Sequence, residues 1–221
     1  MKQYLLAFSL TIIFFSCKKD NEETPVKTST IDPLSSIVNM PDAIHETSSG
    51  SAGKYQVGIR FLTYKKGTIK RLGLRSPSAG TYRLQLYTFV TTDSTSIVYP
   101  MIVAPQRLGY VDVTIDAAAA TNGSVVWGNI SSVNVEPWTN DGVGKVRMYG
   151  ICFNDLDNNQ FQHRFPTGAS MPIWYGGYVL SLQRYTFCSS DDMNAPAWQS
   201  HGGGFSNLVF GDIRMEFEYQ R

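Results

Sequence analysis

The sequence predicts an all-β domain, an antiparallel sandwich of two sheets, preceded by a polar tether and an apolar leader. Three observations carry this. From residue 55 onward short alternating apolar segments are broken by turn residues, windows of helical period are nearly absent, and the outward positions of the alternating segments are polar or charged. A closed barrel is the alternative arrangement for the same strands. A membrane-spanning barrel does not fit, because outward positions include Arg83, Asp112, Arg214 and Glu216 where a lipid-facing apolar band would be needed.

The leader is residues 1–16. Met1-Lys2-Gln3 is followed by an apolar run from Tyr4 to Phe15 and then by Ser16-Cys17, which are the basic start, apolar core and small cleavage residue of a secretory signal peptide. A run of this length rises only about 18 Å as a helix, short of the roughly 30 Å hydrocarbon core. An ordinary surface helix should show a polar face, and this run shows none. Residues 17–53 are rich in Ser, Thr, Asn, Asp and Glu, with Pro25, Pro33 and Pro41 spaced through them. The final stretch from Thr47 to Gly53 has nothing to bury, so the segment is expected to be a flexible tether, with Ile37-Val38-Asn39-Met40 able to dock on the domain.

The domain proper is expected over 54–221. Tyr55–Thr63 and Thr68–Leu74 flank Lys65-Lys66-Gly67, a tight connection with a glycine available for positive φ. Tyr82, Leu84 and Leu86 alternate with Arg83 and Gln85. Thr95–Val103 comes next, then Tyr110–Ile115, where Val111, Val113 and Ile115 share a face opposite Asp112 and Thr114. Ala117–Ala120 hints at helix but is too short to stand alone. Lys145–Phe153, Tyr178–Phe187 and Leu208–Tyr219 complete the set, the last with Val209, Ile213, Met215, Phe217 and Tyr219 on one side and Asp212, Arg214, Glu216 and Glu218 on the other.

Two resemblances add to this reading. Phe14-Phe15-Ser16-Cys17 resembles a bacterial lipobox, and the charged run from Lys18 to Glu23 is similar to the surface-export signal of Bacteroidota lipoproteins. The resemblance implies that Cys17 becomes an acylated mature N-terminus, and that the chain sits on the outer membrane facing the cell surface. Several acyl chains on one cysteine anchor durably, each buried methylene contributing about 0.8 kcal/mol. The order Tyr55-x-x-Gly58-x-x-Phe61, Gly67-x-Ile69-x-x-Leu72-Gly73-Leu74 and Gly80-x-Tyr82-x-Leu84-x-Leu86 resembles jelly-roll modules of bacterial surface proteins, many of which are of unknown function or bind carbohydrate. That resemblance covers under a third of the chain.

Removing the leader takes Lys2 from the 19 basic residues, leaving them equal in number to the 18 acidic ones. A mature net charge of zero argues against nucleic acid or anionic headgroups as principal partners. With Cys17 given to lipid, Cys152 and Cys188 remain in a compartment that permits a disulfide. A bridge would need their strands to be neighbours with Cα atoms roughly 4.4–6.8 Å apart. The alternative is two buried thiols.

Asp155, Asp157 and Asn159 stand at alternate positions, a spacing that lets three oxygen side chains converge on a structural Ca²⁺, with Asp191-Asp192 as possible contributors. The EF-hand pattern then fails at Gln160 and Pro166, and Asp/Asn clusters also build plain turns. No motif requires a cofactor. His201-Gly202-Gly203-Gly204 resembles an esterase oxyanion-hole motif, but no G-x-S-x-G elbow exists. Glu216 and Glu218 share a strand face at roughly 7 Å, a separation open to glycoside hydrolysis, yet they also fit a solvated face beside Arg214. His45, His163 and His201 are far apart in sequence and lack zinc spacing.

The remaining signal is aromatic. Trp127, Trp138, Trp174, Tyr175 and Trp198 fall in loop-like contexts, several beside Asn140, Asp141, Gln199 or His201. Flat rings with directional polar neighbours suit a sugar, although single tryptophans more often cap a core. The expectation is therefore a non-catalytic envelope module that binds glycan or another surface ligand through loops 136–142 and 189–205. A structural or adhesive subunit meeting an envelope protein is the alternative, and a glycoside hydrolase the third.

Overall fold

The computed structural model describes residues 28–32, 35, 44–49, 55–91, 102–137, 146–155, 159–164, 173–175, 180–188 and 208–221. Along them run β1 (Thr28–Ile31), β2 (Ile44–Ser49), β3 (Tyr55–Thr63), β4 (Gly67–Arg75), β5 (Gly80–Thr91), β6 (Ile102–Ile115), α1 (Ala117–Asn122), β7 (Val126–Val135), β8 (Val146–Asp155), β9 (Asn159–Arg164), β10 (Ile173–Tyr175), β11 (Leu180–Cys188), β12 (Leu208–Phe210) and β13 (Asp212–Gln220). The order β1-β13-β4-β7 makes a four-stranded sheet, β10-β11-β3-β8-β5-β6 a six-stranded one and β12-β9-β2 a small third. Each pairing is antiparallel. The two larger sheets pack face to face and neither closes on itself. The architecture is the all-β sandwich, not the closed barrel.

Alternation explains the core. Val57, Ile59 and Phe61 of β3, Tyr82, Leu84 and Leu86 of β5, and Tyr149, Ile151 and Phe153 of β8 point inward from the larger sheet. They meet Ile69, Leu72 and Leu74 of β4, Val133 and Val135 of β7, and Ile213, Met215 and Phe217 of β13. Each such side chain contributes roughly 1.5–3 kcal/mol when fully buried. The period-two rule breaks once, between Ile69 and Leu72, and there the β4–β7 register shifts, so the odd residue is absorbed by an irregularity of the ladder.

Successive strands change sheets, and this alters several expectations. β3 and β4 belong to different sheets, so residues 64–66 carry the chain across the sandwich rather than closing a hairpin. Gly67 is needed for space, not for positive φ: a Cβ there would meet the Phe217 ring and the Glu218 carbonyl. The single strand expected over 208–219 is two, belonging to different sheets and separated by Gly211 at φ 76°. Residues 28–31 and 44–49, read as tether, are strands of the four-stranded and the three-stranded sheet, so the folded part begins before residue 54. The expected strand at 95–103 lies mostly outside the described residues, and Tyr110–Ile115 is the second half of a 14-residue strand. The Ala-rich turn is a short helix made viable by its ends: Asp116 Oδ1 accepts from Ala119 N at 2.7 Å, and Gly123 closes it at φ 61°.

The neighbour relation that a Cys152–Cys188 bridge requires is absent. Cys152 on β8 stands opposite Gly58 and Cys188 on β11 opposite Gln56, with β3 between them. Two strand spacings and the two-residue offset along β3 put the Cα atoms about 12 Å apart, beyond disulfide reach. Cys152 is buried.

Candidate functional site

The outer face of the four-stranded sheet can be built rung by rung. Because Ile213, Met215 and Phe217 point inward, Asp212, Arg214, Glu216, Glu218 and Gln220 point out. Their cross-strand partners set the rungs: Thr28 opposite Gln220; Thr30, Glu218, Thr68 and Asn134 in one row; Glu216, Arg71 and Asn129 in the next; Arg214, Gly73 and Trp127 in a third. From Gly67 to Gly73 this face runs about 20 Å along β4, taking roughly 3.3 Å per residue.

At one end is a half-open cleft of about 240 Å³, lined by Thr28, Lys66, Thr68, Asn134, Glu218 and Gln220 among others. Its charges are already matched. Lys70 Nζ bonds Glu218 Oε2, and Lys66 Nζ lies 3.2 Å from Glu136 Oε1. The Thr68 hydroxyl donates to Asn134 Oδ1 at 3.1 Å. The Lys70 hydrogen bond holds the Glu218 carboxyl below the usual glutamate range, helped by the Lys70 charge and the Thr28 hydroxyl.

In the middle, Arg71 Nη1 lies 3.3 Å from Glu216 Oε2, and its guanidinium sits 5.1 Å from the centre of the Trp127 ring. The ring packs closely on Gly73 because that residue has no side chain; a Cβ there would be 2.9 Å from Trp127 Cδ2. Trp127 is half-buried. Gly73 against the ring and the Arg71 guanidinium over it hold Trp127 in place, and the residue stays partly exposed.

At the far end the same face is buried. Arg214 bonds Asp212 through Nε and Nη2, reaches Asp32 Oδ2 at 3.3 Å through Nη1, and Asp212 also forms an ion pair with Arg75. Burial pulls the Arg214 guanidinium downward, but Asp212 and Asp32 outweigh it and leave it raised. Burial also pushes the Asp32 carboxyl up, against the pull of Arg214. Arg214 is thus not the exposed outward charge the sequence pattern suggests.

On the larger sheet, exposed Tyr110 of β6 lies under Arg83 at 4.9 Å and Arg107 at 5.2 Å, and Arg83 grips Asp112 through Nε and Nη2 at 2.7 and 2.8 Å. Behind it Gln85 Oε1 accepts from Tyr87 and from Arg107.

The expected loop site falls mostly elsewhere. Cys17, Trp138, Asn140, Asp141, Asp157, Asp191, Asp192, Trp198, Gln199 and His201 lie outside the described residues. Trp174 and Tyr175, taken as loop aromatics, are strand residues of β10 opposite Ser181 and Leu180. Trp127, also taken as a loop residue, is the second residue of β7. Asp155 ends β8 and Asn159 opens β9. His45 and His163, distant in sequence, are direct cross-strand partners of β2 and β9, and no group of three metal-ligating side chains occurs among the described residues.

No family model matches the chain, and no curated protein matches it. Among solved structures, the crystal structure of the flagellar cap protein FliD D2-D3 domains from Escherichia coli overlaps 88% of this chain and 100% of that one at 15% identity, with a TM-score of 0.10. A similarity of that size carries no argument. Neither the comparisons nor the described residues point to catalysis. Glu218 is held ionised by Lys70, whereas a general acid needs its carboxyl pushed upward. No helix among the described residues is long and apolar enough to cross a membrane.

Proposed function

We propose that this chain is a lipid-anchored, non-catalytic module of the cell envelope that binds carbohydrate on the outer face of its four-stranded sheet. One observation carries the reading: a partly exposed tryptophan ring held between Gly73 and the Arg71 guanidinium, in a face whose other members are hydroxyls, amides and matched ion pairs. A sugar needs an apolar platform for its C–H face and directional partners for its hydroxyls, and a rigid sheet supplies both with little ordering cost. The strand that holds Trp127 and Asn134 leads into the 136–142 segment, whose Trp138, Asn140 and Asp141 extend the same proposal.

Trp127→Ala is expected to weaken binding of oligosaccharides by about tenfold or more, near 1.4 kcal/mol, with Trp127→Phe retaining most of the affinity. A glycan array followed by fluorescence titration reads this out. Blank arrays with the unaltered chain would remove the carbohydrate reading, and a concentration-dependent oligomer would favour an assembly subunit instead.

The anchor rests on the leader and on Ser16-Cys17. Mass spectrometry of the native protein is expected to find residues 1–16 gone and acyl chains on Cys17. An intact Met1 would end the envelope assignment.

A further inference from the structure

We infer that β1 completes the cleft at the end of the four-stranded sheet, and that the cleft takes an uncharged, hydroxyl-rich sugar unit, so that ligand binding and docking of β1 strengthen one another. This rests on the carbohydrate reading above. The ligand class is set by charge. Glu218 is matched by Lys70 and Lys66 by Glu136, so an incoming anion or cation would have to break an existing pair. The rest of the lining is neutral: the hydroxyls of Thr28 and Thr68, which donate to Glu218 and Asn134 and keep their acceptor lone pairs, and the amides of Asn134 and Gln220. A volume of about 240 Å³ is below the roughly 300–1,000 Å³ of drug-sized sites and suits one ring of a longer chain.

The coupling arises from where Thr28 comes from. It belongs to β1, a four-residue edge strand that pairs with β13 alone, from Thr28 opposite Gln220 to Ile31 opposite Phe217. Its hydroxyl reaches Glu218 across that pairing. β1 is held by few attachments: Ile31 packs against the core, Ser29 bonds Arg221, and the adjoining Asp32 bonds Arg214. Its residues are exposed or half-buried, the profile of a segment that opens locally at low cost. A ligand that touches Thr28 binds only the docked form, and anything that binds one form alone stabilises it by mass action.

The test uses the full chain with neutral hexasaccharides of glucose, mannose or xylose, against oligogalacturonate as the charged counterpart. A neutral hexasaccharide is expected to bind and to slow amide exchange at Thr28–Ile31 at least tenfold. Thr28→Ala should weaken binding about two- to tenfold, the worth of one hydrogen bond. Ile31→Asp, which undocks β1, should weaken it at least as much while cooperative unfolding persists. If neutral sugars bind but neither variant nor β1 exchange responds, the coupling is wrong and the carbohydrate reading stands. Tighter binding of oligogalacturonate would overturn the ligand class, and no saccharide binding at all would overturn the carbohydrate reading itself.

Discussion

Asp212→Ala is expected to destabilise the fold by about 3–5 kcal/mol, measured as a lowered denaturant midpoint at unchanged slope. The Asp212 side chain is fully buried at the start of β13, where it accepts hydrogen bonds from Arg214 on its own strand and forms an ion pair with Arg75 on β4. Its removal leaves the Arg75 guanidinium without its carboxylate and Arg214, 7% exposed, with only the longer contact to Asp32. The cost is that of stranding charge, not the net worth of an ion pair, and a second change separates the two. Arg214→Met added to Asp212→Ala should recover part of the loss, because a buried pair replaced on both sides by apolar groups is often close to neutral. Asp32→Asn should cost much less, since burial already disfavours the Asp32 carboxylate more than Arg214 favours it. A loss under about 1 kcal/mol for Asp212→Ala would show that water reaches this cluster.

Phe153→Ala is expected to cost about 3–5 kcal/mol by the same measurement. Its ring, 1% exposed on β8, meets Tyr82 edge-on at 6.1 Å between centres. It also fills the space above Gly211, where any Cβ would collide with it. The residue therefore joins the six-stranded sheet to the point where the chain turns from β12 into β13. Truncation leaves a cavity bounded by a backbone held at φ 76°, which cannot easily collapse inward. Gly211→Ala would be destabilising for a different reason, adding left-handed strain to the clash. A loss for Phe153→Ala nearer 1 kcal/mol would mean that neighbouring side chains close the gap.

The sheet class was legible in the sequence because alternation is a local signal. Tyr82-Leu84-Leu86 and Ile213-Met215-Phe217 announce one buried face without knowledge of their partners. The strands that were missed lack that signal. Val126–Val135 alternates weakly because, as an edge strand, it exposes Asn129, Ser131 and Ser132, and Thr28–Ile31 has no apolar run at all. Both are strands through pairing with distant chain, β7 with β4 and β1 with β13, which propensity cannot register. The division between sheets was also hidden: Lys65-Lys66-Gly67 has the composition of a hairpin turn, and only the Phe217 ring packed on Gly67 gives the glycine its purpose.

The binding face was partly legible. Glu216 and Glu218 were visible as outward carboxylates, but the cations that match them, Arg71 and Lys70, come from a strand 145 and 148 residues away. Trp127 shows in the sequence as an aromatic residue with no alternating run around it to mark a strand. The residue that makes room for it is Gly73, whose place opposite Trp127 appears only once β4 and β7 are paired.

The long β6 edge has a consequence for crowding. A 14-residue outer strand would ordinarily invite a neighbour's backbone, yet this one carries Pro105, which has no N–H, two breaks of register against β5, and exposed Arg107 and Asp112. Such an edge is a poor template for another chain. Molecules packed side by side at high density would slide past one another there instead of stitching into fibrils.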